Sequence, residues 1–291
     1  MANNTQNPLS AYFRAPKLYT SIPSAGQYYT PDVCEVPENG ELPIFAMTAK
    51  DEMIMKNPDA LLNGEAVAQV IQSCVPNVKN ARKMLSSDID VLLIAIQGAT
   101  FGDDIEVSAA CPECETSASG VASVSDALAT MGSLEDLYSV KHGDNLEIKV
   151  RPFTYASTIK AGITNFQSTR SLQALADIPD EMERLRLFND NFKEISALNF
   201  ELIADSIHSI TILSENIDVN DRNQIAEFLD NADNSVGKAI EDQIQKINES
   251  GINTQMQLEC ENTECSGREG DEAFKFVSKV NFDPVNFFTA S

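Results

Sequence analysis

The sequence predicts an α+β protein that is mainly helical, with a small β subdomain split in two by a helical insertion. Three observations carry this. Two short cysteine pairs, Cys111/Cys114 and Cys260/Cys265, lie far apart yet share strand-like flanks: Asp104–Ser108 before the first, Met256–Glu259 before the second and Phe274–Val277 after it. Helical periodicity dominates the residues between about 153 and 250, whereas alternation in the manner of strands surrounds the cysteines. Hydrophobic residues make up 43% of 291, enough for a sizeable core.

Residues 1–20 read as a flexible N-terminal arm, with Pro8 and Pro16 and little periodicity. Residues 21–152 form an N-terminal α+β region. It opens with an irregular, proline-punctuated stretch from Ile22 to Met47. Thr48 with Asp51 three positions on resembles a capping box, starting a helix that runs to about Lys56. A second helix begins near Asn63–Gly64, places Ala66, Val67, Val70, Ile71 and Cys74 at helical spacing, and stops before Pro76. A third, capped by Ser86 or Ser87, spans Asp88–Gln97 and is ended by Gly98 and Gly102; it is apolar on nearly every side, so it is the candidate central helix. The first cysteine knuckle follows, and Val121–Val124 completes a hairpin. A turn-rich link with one short helix occupies 131–144, and Leu146–Phe153 alternates as a strand.

Residues 153–252 read as an acidic helical insertion of four or five helices. Asp180 caps one helix and Asn220 or Asp221 another, and the run Phe192–Ile212 places Ile195, Leu198, Leu202, Ile203, Ile207 and Ile210 on one stripe. Residues 253–291 hold the second knuckle hairpin and an apolar tail, Val280–Phe288, expected to dock on its own core or on a neighbouring subunit.

The candidate site is the set Cys111, Cys114, Cys260 and Cys265. Each Cys-x(2–4)-Cys turn can present two thiolates, and two such turns supply the tetrahedral shell of a structural Zn2+. If both pairs hold one ion, positions about 145 residues apart are tied together. A closed four-thiolate shell leaves no position for water, so the metal would be structural. Two rival readings are a thioredoxin-like dithiol, which needs Cys-x2-Cys at a helix N-terminus, and unliganded or disulfide-paired thiols. Cys34 and Cys74 read as ordinary buried cysteines.

No catalytic set emerges. His142 sits in a turn and His208 on the long helix's edge, with no second ligand spaced nearby. Gly98–Gly102 is a helix stop, Asp103–Asp104 a polar turn, and Asp88 a helix-start carboxylate. Forty-four acidic residues against 21 basic give a net charge of −23, which repels phosphate backbones and anionic headgroups and disfavours nucleic-acid or membrane binding. No run of about 18 apolar residues offers a membrane span. The polar N-terminus lacks a hydrophobic leader, which argues against secretory export.

The order of several segments resembles the baseplate hub assembly protein family of T4-like bacteriophages. The segments are Ile22–Tyr29, Phe45–Gly64, the helix Ala66–Val75, the Leu-x-x-Asp-x-Asp-x-Leu-Leu helix from Leu85 to Leu93, and the Gly102–Asp103 step into Cys111–Cys114. The resemblance covers about residues 20 to 120. It implies a non-enzymatic tail protein that builds or occupies the baseplate hub, in the virion or in the host cytoplasm during assembly. Its partners would be other tail and hub proteins, the tape-measure protein among them. From the residues alone, a cytosolic zinc-ribbon adaptor acting through protein contacts is the alternative, and neighbouring tail genes would discriminate the two.

Overall fold

In the computed structural model, residues 9 and 12–279 are described, apart from 136, 176, 177, 179, 250, 253, 254, 269 and 271. The apolar tail Val280–Phe288 lies outside the described residues.

The N-terminal third packs around one helix. Strand β1 (Pro16–Thr20) pairs antiparallel with β2 (Leu42–Phe45), so the last five residues of the segment read as an arm are ordered strand. Just before it, the Arg14 guanidinium donates to the carbonyls of Ala46 (2.5 Å) and Ser73 (2.6 Å), lies 3.5 Å from the buried Asp51 carboxylate and stacks over Phe45. Helix α1 (Ala49–Met55) opens with the expected capping box between Thr48 and Asp51. Helices α2 (Pro58–Leu62) and α3 (Glu65–Cys74) follow, and α4 (Ser86–Phe101) runs through the middle, buried on nearly every side. Leu42, Ile44, Met55, Ile71, Met84, Ile89, Leu92 and Ile96 are fully enclosed here.

Helix α4 does not stop at Gly98. It continues to Phe101, and Gly102 ends it. Gly98 serves packing instead: a Cβ there would lie 2.7 Å from Val124 Cγ1, so the missing side chain admits the next segment. That segment is the hairpin β3 (Asp104–Ala110) and β4 (Ser117–Ser123), followed by α5 (Val124–Ala129), which Ser123 and Asp103 cap.

A four-stranded antiparallel sheet forms the second core. Its strands are β5 (Tyr138–His142), β6 (Leu146–Val150), β7 (Ile207–Ile212) and β8 (Ile217–Val219), in that spatial order. Between β6 and β7 the chain leaves as a long helical hairpin, α6 (Tyr155–Leu175) and α7 (Glu181–Ser206). Asp180 caps α7 and Asp221 caps α8 (Arg222–Asn231), as expected, and α9 (Asn234–Glu249) follows. On α9, Val236, Ile240, Ile244 and Ile247 recur at helical spacing and pack with Ile225 against Ile148, Val150, Ile207 and Ile210 of the sheet.

This corrects the expectation of one helix from Phe192 to Ile212. The helix ends at Ser206, and Ile207–Ile212 is strand β7, with Ile148 opposite Ile210. The run Ile207-His-Ser-Ile-Thr-Ile is rich in β-branched residues, which suit a pleated sheet. Ile203, Ile207 and Ile210 satisfy helical spacing by coincidence. His208 is therefore a solvent-facing strand residue and not a helix-edge one. The chain closes with the antiparallel pair β9 (Gln255–Cys260) and β10 (Phe274–Lys279). Among the described residues no helix is long and apolar enough to cross a membrane.

Candidate metal centre

Two hairpins meet where the cysteines lie. In the first, the β3–β4 ladder closes at Ala110 opposite Ser117, and the turn between them carries Cys111 and Cys114. The Cys111 amide donates to the Thr116 carbonyl at 2.9 Å, and the Glu115 amide to the Cys111 carbonyl at 2.9 Å. Glu115 takes a left-handed conformation, φ 58°, to complete so tight a knuckle. In the second hairpin Cys260 ends β9 opposite Phe274, and Cys265 follows a turn in which its amide donates to the Asn262 carbonyl at 3.2 Å. Gly267 is required by close approach, since a Cβ would sit 2.6 Å from the Phe274 ring.

The hairpins pack β4 against β9. Gly120 makes this possible, because a Cβ there would meet Leu258 Cδ2 at 2.6 Å and Met256 Cε at 2.9 Å. Between them lies a small core of Cys111, Ala118, Leu258, Cys260, Cys265 and Phe276, flanked by the stacked rings of Phe274 and Phe276. Polar contacts also cross between the knuckles: Asn262 Nδ2 donates to Thr116 Oγ1 at 3.3 Å, and Ser266 Oγ to Glu113 Oε2 at 3.4 Å.

The four sulfurs all lie within 4.8 Å of one another. Two short separations run across the knuckles, Cys111 Sγ to Cys265 Sγ at 3.8 Å and Cys114 Sγ to Cys260 Sγ at 3.5 Å. A disulfide needs about 2.05 Å, and all six cysteines are free thiols. A tetrahedron with metal–sulfur bonds of about 2.3 Å has edges of about 3.8 Å, so the donor set fits a tetrahedral thiolate-bound ion. Cys111, Cys260 and Cys265 are buried and Cys114 is half-buried. Burial pushes the Cys265 thiol up to about 12 and the Cys260 thiol upward, while hydrogen bonding with Thr116 brings Cys114 down to about 6. Four thiolates fill such a shell and leave no coordination position for a substrate, so the arrangement suits holding two hairpins together. Glu113, Glu115, Glu261 and Glu264 stud the exposed knuckle surface, an unfavourable face for a phosphate backbone.

The remaining residues singled out in the sequence do not join this cluster. Cys34 and Cys74 are buried in the N-terminal core, where burial raises both thiols to about 11. Asp103 accepts from Ser123 and Ser125 as a capping turn. Asp88 does more than satisfy a helix dipole. It is fully enclosed and accepts from the Ser24 amide (3.0 Å), the Ser24 hydroxyl (2.5 Å) and the Tyr29 hydroxyl, which in turn accepts from the Leu85 amide at 2.9 Å. Burial raises its carboxyl above the ordinary range, against the opposing effect of these bonds. Asp88 thus ties the irregular Ile22–Tyr29 stretch to the start of α4. Sequence reasoning missed this because the partners lie about 60 residues away, and only the Ser24 and Tyr29 donors could have hinted at it.

A family model described as "T4 bacteriophage base plate protein" matches residues 29–275, well over half of the chain and inclusive of both knuckles. No curated protein and no solved structure matches the chain.

Proposed function

The chain belongs to the T4 bacteriophage base plate protein family, and on that premise we propose that it is a non-enzymatic structural component or assembly factor of the baseplate hub. The observation that carries the reading is a family match running from the N-terminal core through both cysteine knuckles. In this reading Cys111, Cys114, Cys260 and Cys265 bind one structural Zn2+, which joins the two halves of a split zinc ribbon across the intervening helices and sheet. The bound ion would contribute cross-linking and charge neutralisation, and the chain's own residues do the rest: the knuckle turns orient the thiolates, and Leu258 and Phe276 shield them from water. The protein acts in the virion tail, or in the host cytoplasm while the tail assembles, through contacts with other hub and tail proteins, the tape-measure protein among them. The family match favours this over the adaptor alternative.

The test is a phage lacking this gene. It should yield no particles with complete baseplates by electron microscopy, and protein tagged at its N-terminus should recover hub proteins from infected cells. Normal, infectious tails from the deletion would overturn the reading. Metal analysis should find one zinc per chain, lost in C111S/C265S.

A further inference from the structure

The four thiols can also be joined by bonds of their own, and their arrangement favours pairing between hairpins over pairing within a knuckle. Each has a sulfur of the other hairpin close by: Cys114 Sγ lies 3.5 Å from Cys260 Sγ, and Cys111 Sγ lies 3.8 Å from Cys265 Sγ. A disulfide needs about 2.05 Å, so each pair has less than about 2 Å to close, a shift on the scale of a side-chain rotation. Contacts other than the sulfurs hold the knuckles in register meanwhile. Asn262 Nδ2 donates to Thr116 Oγ1, Ser266 Oγ donates to Glu113 Oε2, and Leu258 of β9 packs onto Gly120 of β4.

Access to the sulfurs is uneven. Cys111 and Cys260 are 0% exposed and Cys265 is 5% exposed, whereas Cys114 is only half-buried. A small oxidant in solution therefore meets Cys114 first, and the sulfur at 3.5 Å from it belongs to Cys260. We propose that peroxide oxidation links Cys114 to Cys260, and then Cys111 to Cys265, so that the two hairpins stay joined by covalent bonds when the ion is lost. This rests on the reading of the four cysteines as one metal site, and not on the baseplate role.

The chemistry balances with one hydrogen peroxide per disulfide. The Cys114 thiolate attacks one peroxide oxygen, the O–O bond breaks, and hydroxide leaves. The Cys260 thiolate then attacks the Cys114 sulfur of the resulting sulfenic acid and expels a second hydroxide. Two protons convert the hydroxides to water; the two sulfurs lose two electrons and the peroxide gains them. A sulfur in a disulfide no longer offers a thiolate, so oxidation and metal release go together. Each bond ties positions 146 or 154 residues apart, where a bond inside one knuckle would tie neighbours and leave the hairpins free to part. Thiols persist in a reducing cytoplasm and disulfides persist outside the cell. The same four residues can thus keep β9–β10 docked on either side of that boundary.

The experiment is to treat the full-length, zinc-loaded chain with hydrogen peroxide beside a chromophoric zinc chelator. Trypsin leaves Cys111 and Cys114 on one peptide, 84–141, and Cys260 and Cys265 on another, 247–268. Mass spectrometry without reduction should find these two peptides linked, in step with zinc release. Hydrogen exchange over 255–279 should stay as slow in the oxidised, metal-free chain as in the zinc-bound one, and speed up once dithiothreitol is added with the chelator present. C114S should slow linking by at least about tenfold, because the remaining sulfurs are buried. Two unlinked peptides, each holding its own disulfide, would overturn the proposal, as would irreversible oxidation of Cys114 without a link, or a linked chain whose residues 255–279 exchange freely. A chain that binds one zinc yet never links would sink this proposal alone; a chain that links but binds no zinc would sink the zinc reading and leave the covalent pairing standing.

Discussion

Gly120→Ala tests whether the two knuckles form one site. A methyl group at this position would lie 2.6 Å from Leu258 Cδ2 and 2.9 Å from Met256 Cε. Ordinary carbon contacts are about 3.5–4.0 Å, so β4 and β9 would have to separate by about 1 Å. The flexible end of Met256 can yield, but Leu258 is 2% exposed and hemmed in by Ala118 and Phe276. Overpacking of this kind costs about 1–3 kcal/mol. Strand β4 follows knuckle one almost directly, and β9 ends on Cys260, so the separation moves one thiol pair relative to the other. If the strain is relieved when the metal leaves, the same 1–3 kcal/mol appears as about a 5- to 150-fold loss of metal affinity. Competition with a chromophoric chelator measures it, using zinc as the probe. An affinity within about twofold of the parent chain, with unchanged hydrogen exchange along β9, would show that the hairpins do not share an ion.

Other expected outcomes follow from single contacts. C260S should bind less than one zinc per chain by atomic emission, and hydrogen exchange should speed up over 255–279 while α4 stays protected. D88A strands the buried Ser24 amide and removes the acceptor of the Tyr29 hydroxyl, which should cost about 2–4 kcal/mol in urea unfolding; a loss below about 0.5 kcal/mol would contradict the network. Because burial raises the Asp88 carboxyl, the folded chain holds that proton to higher pH than the unfolded chain. Stability should therefore fall as pH rises from the ordinary aspartate range through the folded-state value, and D88N should flatten that part of the profile. Gly162→Ala, in a helix position with nothing within 4 Å, should stabilise α6 by about 0.5–1 kcal/mol in thermal unfolding.

Local chemistry was legible in the residues, and remote pairing was not. The Thr48–Asp51 box and the caps at Asp180 and Asp221 involve donors within three positions, so the sequence displays both halves of each interaction. The cysteine knuckles belong to the same class, since each pair sits in one short turn. What decides Ile207–Ile212 is β6, about 60 positions earlier, whose open edge claims a run that helical spacing also fits. Gly98 looked like a stop because glycine weakens helices, but Val124 needs the space its side chain would fill. Pro16–Thr20 lacks periodicity of its own and becomes strand only because Leu42–Phe45 lies alongside.

The two halves of the cysteine site are not equally dependent on an ion. Hairpin β3–β4 is rooted: Ile105 packs with Ile94 of α4 and Val124 of α5, and the Val124 amide donates to the Asp103 carbonyl at 2.7 Å. Among the described residues, hairpin β9–β10 has β4 as its main neighbour, and the core they share has six buried residues, three of them cysteines, against 23 in the N-terminal core. So few apolar groups cannot offset the ordering of two extra strands, and small units of this size need a cross-link. Knuckle one should therefore stand in the metal-free chain, offering Cys111 and Cys114 on a formed turn, and metal binding would draw in the C-terminal strands. On the proposed zinc-bound reading the ion would govern whether residues 255–279 are docked, which makes the C-terminal segment, and not the helical core, the part of the molecule whose availability to a partner would respond to metal.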